Sequence, residues 1–203
     1  IDLDAATVLL QWATGGLFFL WVTGRRREVG IGYGWTMRIT FGLMAAGGVA
    51  VGVLFEPQPV RDTFGALMLG ATMVALGVSA VRRKAGVTGQ RGTEERRTAR
   101  VAAMTGIDKD AQTFSDGPEF PAHLDLLAPL LGVVALVAGG IHAGHPAWLS
   151  VARVLIGALF LGAISDAMLL GHWYLVQPGL ARGPLIELVW WSGLLWPFEL
   201  AVL

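Results

Sequence analysis

The stretch LDLLAPLLGVVALVAGGIHA, residues 124–143, decides the class of this protein. Its charge is confined to its ends, with Asp125 beside the start and His142 beside the finish. A helix of that length rises about 30 Å, the thickness of a bilayer's hydrocarbon core. Stretches of the same character lie at 5–22, 37–55, 64–81, 148–170 and 185–202. All six should be helices, because a lone helix satisfies its own backbone groups in lipid. The expected fold is an all-α, polytopic helical integral membrane protein with about six spans. The chain opens on Ile1 and closes on apolar Leu203, so it is expected to continue, with room for a further span.

Composition agrees. Of 203 residues only 15% are charged, against about 25% in a soluble domain. Net charge is zero, which gives no reason to expect a nucleic-acid partner. The absence of cysteine excludes disulfides, thiolate metal sites and cysteine nucleophiles.

The basic residues are strongly asymmetric. Arg25, Arg26 and Arg27 follow the first span, and Arg38 lies just inside the second. Arg82, Arg83, Lys84, Arg91, Arg96, Arg97, Arg100 and Lys109 follow the third, and Arg182 follows the fifth. Only Arg61 and Arg153 fall on the other side. Loops rich in Lys and Arg stay in the cytoplasm. The N-terminus is then expected outside, and the large basic loop on the inner face of a bacterial plasma membrane. Trp21, Trp35 and Trp173 fall at the inner interface and Trp148 at the outer one, as an aromatic belt requires.

The chain divides into a three-span set at 1–84, a basic loop at 85–122 and a second three-span set at 123–203, all within one membrane domain. The loop should hold a short helix near 93–104. Three spans per set give the two sets opposite orientations, as in transporters with inverted repeats. Support for such a repeat is limited to Ile1-Asp2-Leu3-Asp4 and His123-Leu124-Asp125-Leu126, which open the sets alike.

No motif names a reaction. Gly30-Ile31-Gly32-Tyr33-Gly34 lacks the spacing of a dinucleotide fingerprint, and the 86–92 glycines lack the Lys-Ser/Thr of a phosphate loop. The residues lean away from an enzyme. Asp166 is the most costly residue, because an unpaired carboxylate at membrane depth costs several kcal/mol. It marks a proton or ion site, or a polar contact between spans, with Arg38, Arg82 and His172 as candidate partners. Asp125 and Glu187 lie near the same interface and extend this candidate site.

The histidines form two pairs by depth. His123 and His172 belong to the inner interface, His142 and His145 to the outer. Each pair suits haem or metal ligation if its rings converge, and headgroup solvation if they do not. Gly171-His172-Trp173-Tyr174-Leu175-Val176-Gln177-Pro178 is the most distinctive string. His172, Trp173 and Tyr174 suit a headgroup anchor or a quinone contact, and Pro178 should stop the helix. This string resembles a segment of multi-span membrane proteins of high-GC bacteria. The resemblance covers one span end and implies no activity. Gly48 with Gly52, and Gly140 with Gly144, are GxxxG pairs that let helices pack closely.

The reading these features favour is a non-catalytic or accessory subunit of a larger bacterial membrane complex, with respiratory and other energy-transducing complexes as candidates, and with lipids and other membrane subunits as partners. The alternatives are a small transporter or proton-coupled carrier using Asp166, and a redox protein binding haem or quinone.

Overall fold

The computed structural model describes residues 3–85, 87–106, 118–177 and 180–202; side chains at 88–91, 93, 94, 96, 97, 100 and 176 also lie outside the description. The helices are α1 (Ala5–Gly24), α2 (Ile31–Phe55), α3 (Pro59–Val81), α4 (Thr88–Thr105), α5 (Leu124–His142), α6 (Ala147–Val176) and α7 (Gly183–Val202). All but α4 are long and apolar enough to cross a membrane. This is an all-α protein of the polytopic membrane class.

Local chemistry sets several helix ends. Asp4 caps α1 by accepting from the Thr7 amide at 2.7 Å, which satisfies a donor that the first turn leaves open. Pro59 opens α3, where a missing N–H costs nothing. Gly106 ends α4 at φ 67°, a left-handed position that suits glycine. Helix α6 runs to Val176, past the expected end at 170, and stops just before Pro178. Proline disfavours helical geometry in the residue before it. Pro178 itself lies outside the described residues. Helices α2 and α3 likewise start earlier than hydropathy indicates, because a helix does not end where the hydrocarbon does.

Helix α1 is the hub. It packs against α2, α5 and α6, while α3 lies along α5 and α2. Helix α7 rests mainly on α6, leaving Trp190, Trp196 and Phe198 exposed. The first three and the last three spans therefore interleave: α3 lies along α5 and α1 along α5 and α6, whereas α7 barely touches α1.

Glycines make the hub possible. A Cβ on Gly15 would sit 1.7 Å from the Ala158 carbonyl oxygen, and one on Gly162 would sit 2.2 Å from the Gly15 carbonyl carbon. Here α1 and α6 touch backbone to backbone. The GxxxG residues act within the chain: Gly48 faces Leu10 of α1, Gly52 faces Arg61 and Asp62 of α3, and Gly140 faces Val151 of α6. Gly144 lies half-buried in the turn beyond α5. Gly15→Ala is expected to lower the unfolding temperature in detergent, at an overpacking cost of about 1–3 kcal/mol or more. Gly77→Ala, with nothing within 4 Å of the new methyl, should leave it unchanged. Equal thermal stability of the two variants would contradict the close crossing.

Candidate functional site

Two arginine–aspartate clusters hold the ends of the bundle, and between them one buried aspartate, Asp166, has no cation partner among the described residues. At the end away from the basic loops, Arg61 is fully buried (0% exposed). It donates to Asp62 at 2.9 Å, to Asp4 at 2.7 Å, to Thr7 at 3.3 Å and to the Glu56 carbonyl at 2.7 Å. Asp62 also accepts from the Gln58 amide at 2.9 Å. Arg61 lies inside α3, its guanidinium bonded at every nitrogen, and it ties the start of α1 to the start of α3. On the same side Arg153 of α6 donates to the Val202 carbonyl near the end of α7.

At the basic end, Arg38 of α2 and Asp125 of α5 form a two-pronged pair at 2.8 and 2.6 Å. Both are nearly inaccessible, at 4% and 5%. The guanidinium also stacks over the Phe120 ring, 4.4 Å from its centroid. Arg38 is thus committed to Asp125, not to Asp166. Glu187 is engaged separately, by Arg25 at 2.5 Å and by Arg26. Arg82 donates to the Glu119 carbonyl at 2.9 Å.

Asp166 of α6 is fully buried, and neither carboxyl oxygen has a hydrogen-bond partner. It lies ten residues before the end of α6, about 15 Å along the helix axis. Its neighbour Ser165 accepts from Trp12 of α1 at 2.7 Å. The Tyr33 hydroxyl of α2 stands beside it and donates to its backbone carbonyl at 3.4 Å. Tyr33 is itself held edge-on by Trp173, with ring centroids 6.0 Å apart.

The structure does not bring Asp166, Asp125, Glu187 and His172 together. Asp125, Glu187 and Asp166 have separate surroundings, and His123 and His172 are exposed. Among the described residues no three metal-capable side chains come together. His172 and His142 each contact their own helix, at the Met168 and Ala138 carbonyls, and His145 is exposed in the turn before α6. Within the expected quinone triplet, Trp173 packs on Tyr33 and donates to Gln177 at 3.2 Å, while the Tyr174 hydroxyl donates to the Ala181 carbonyl. Only His172 of the three faces outward. Glu199 faces Gly157 of α6. Sequence reasoning missed Tyr33, Thr23 and the Arg61 cluster; the one available signal was the polar series Asp4, Thr7, Gln11, Thr14 along one helix.

Two cavities lie nearby. One, of about 310 Å³, is lined by Phe18, Leu126, Leu130, Val133, Leu155 and others from α1, α5 and α6; its apolar wall suits a lipid chain and offers no chemistry. The other, of about 50 Å³, is bounded by Thr23, Tyr33, Arg38, Phe120 and Asp125.

No family profile, curated protein or solved structure matches this chain. Function must therefore be argued from the site.

Removing one member of a buried ion pair strands the other. Arg38→Leu or Asp125→Leu is expected to destabilise by about 3–5 kcal/mol, and the double variant to recover most of that loss. Glu119→Gln, beside the exposed Arg27 at 3.1 Å, should cost about 0–1 kcal/mol. Unfolding of the purified variants in one detergent checks this, and additive losses in the double variant would contradict it.

Proposed function

We propose that this protein is a proton-coupled membrane carrier in which Asp166 holds the transferred proton. One observation carries the reading. Of the three buried aspartates among the described residues, Asp62 and Asp125 are each paired with an arginine, and Asp166 has no cation, only the Tyr33 hydroxyl beside it. Where this chain needs a carboxylate for structure, it supplies a guanidinium. An ionised, unpaired carboxylate in a dry interior is the costliest arrangement a bundle can hold, and a neutral acid relieves most of that cost. Such a group takes up a proton readily and releases it when water or a cation reaches it. Intramembrane acids commonly mark proton and ion pathways for this reason.

The arginine clusters fit the same reading. They close the bundle at both ends, Arg61 with Asp4 and Asp62 at one and Arg38 with Asp125 at the other. A carrier needs closures that open one at a time, and ion pairs between helices can be broken and remade. The orientation that this reading adopts places the Arg38 end on the cytoplasmic side of a bacterial plasma membrane.

A second reading is a subunit of a larger membrane complex, favoured by α7, which packs mainly on α6 and presents Trp190, Trp196 and Phe198 outward. A stoichiometric partner retained in mild detergent would support it.

The carrier reading is tested in vesicles loaded with a pH-sensitive dye. Amino acids, sugars, organic anions and organic cations are added in turn, and proton movement is recorded. At least one class should drive proton flux through the parent protein, and Asp166→Asn should abolish that flux without lowering the unfolding temperature. Parent protein that moves no protons with any class, or flux that survives Asp166→Asn, would overturn the reading.

A further inference from the structure

We infer that Asp166 exchanges its proton with the basic side of the membrane through the small polar cavity bounded by Thr23, Tyr33, Arg38 and Phe120, with the Tyr33 hydroxyl as the last link. This rests on the reading of Asp166 as a proton site and names its route.

The cavity lies at the basic end, where Arg27, Val87 and Ala122 complete its outer wall. Two buried polar atoms without hydrogen-bond partners belong to its lining residues: Thr23 Oγ1 and Arg38 Nη1. Thr23 is 1% exposed and Arg38 4%. Arg38 Nη1 lies 2.8 Å from where a Cβ on Gly34 would be, so a side chain at that position would crowd it. Its other two donor nitrogens are bound to Asp125, which leaves Nη1 as the guanidinium's open face. A water needs roughly 10–15 Å³ of such space and two to four polar partners. The 50 Å³ here has room for a few waters, and Thr23, Arg38 and Asp125 would supply their partners. Buried donors and acceptors are rarely left without a partner in native proteins, and ordered water commonly supplies it.

Tyr33 joins this cavity to Asp166. Tyr33 is one of the cavity's lining residues, and its hydroxyl reaches the Asp166 carbonyl at 3.4 Å and stands beside the carboxyl. A swing of the hydroxyl hydrogen redirects it from carbonyl to carboxyl. The transfer then balances: Tyr33 passes its proton to a carboxylate oxygen while its own oxygen accepts one from a cavity water, and that water takes its proton back from solvent on the basic side, so phenol and water both end neutral. The reverse sequence releases the proton. Tyr33 comes from α2. Tyr174, further along α6, interacts with Tyr33, and no charged side chain bonds to the carboxyl from any packed helix. Trp173 positions the Tyr33 ring from the side.

Hydrogen–deuterium exchange followed by infrared spectroscopy, on the full chain in lipid vesicles, tests the route. The Asp166 carboxyl band is the one missing from Asp166→Asn. On transfer to heavy water that band should shift quickly in the parent. The shift should slow by roughly 10-fold or more in Tyr33→Phe, which removes the positioned proton donor, and in Thr23→Leu, which fills the cavity. Thr72→Val, whose hydroxyl bonds within α3 at 2.9 Å, should exchange like the parent. Should Tyr33→Phe not fold, Thr23→Val and Thr23→Leu carry the comparison. A band that shifts equally fast in every variant overturns the route and leaves the proton site standing. A spectrum with no band lost in Asp166→Asn overturns the proton site itself, and the route with it.

Discussion

A bilayer interior offers no water to a charge, so every charged group within the bundle must find its counterpart there or lose its charge. That constraint orders this structure. Arg61 is inaccessible and fully bonded. Arg38 and Asp125 are nearly so, and each satisfies the other. These pairs join helices distant in sequence, α1 to α3 and α2 to α5. They add little net stability, since a buried ion pair roughly offsets its own desolvation. Against that background Asp166 stands apart: it is a carboxyl at depth with no cation bonded to it among the described residues.

Packing provides the frame for these pairs. With lipid on the outside, helices gain little from burying apolar faces and much from close contact. Helix α1 achieves that contact where Gly15 meets Ala158 and Gly162. The close crossing brings Trp12 to Ser165, one residue from Asp166, and so fixes the depth and facing of the carboxyl. On the other side Trp173 steadies Tyr33. The string His172-Trp173-Tyr174 therefore serves mainly the inside of the bundle, although it looks from its composition like an interfacial anchor.

What could be read from the residues divides along physical lines. The six spans were legible because hydrocarbon thickness writes itself directly into apolar runs. The burden on Asp166 was legible for the same reason. The ends of α2, α3 and α6 were less so, because hydropathy reports the membrane boundary and a helix persists beyond it. Arg61 read as a loop charge, since no local signal shows that Asp4 would reach it from 57 residues away. Arg38 read as a partner for Asp166; Asp125, placed by its helix at the same depth, took it instead. Tyr33 gave no sign at all, because its role depends on a contact with α6 across 133 residues. Gly15 and Gly162 were likewise silent among 28 glycines, where only the crossing of two helices distinguishes a contact glycine from the rest.

The most direct test concerns the state of one group. Solid-state NMR of the protein in lipid bilayers, with its aspartates carrying a carbon-13 label at the carboxyl, resolves protonated from ionised carboxyls at neutral pH. A protonated resonance that disappears in Asp166→Asn is the expected result. A spectrum in which every aspartate, Asp166 included, is ionised at neutral pH would contradict it, and with it the reading of this bundle as a carrier built around Asp166.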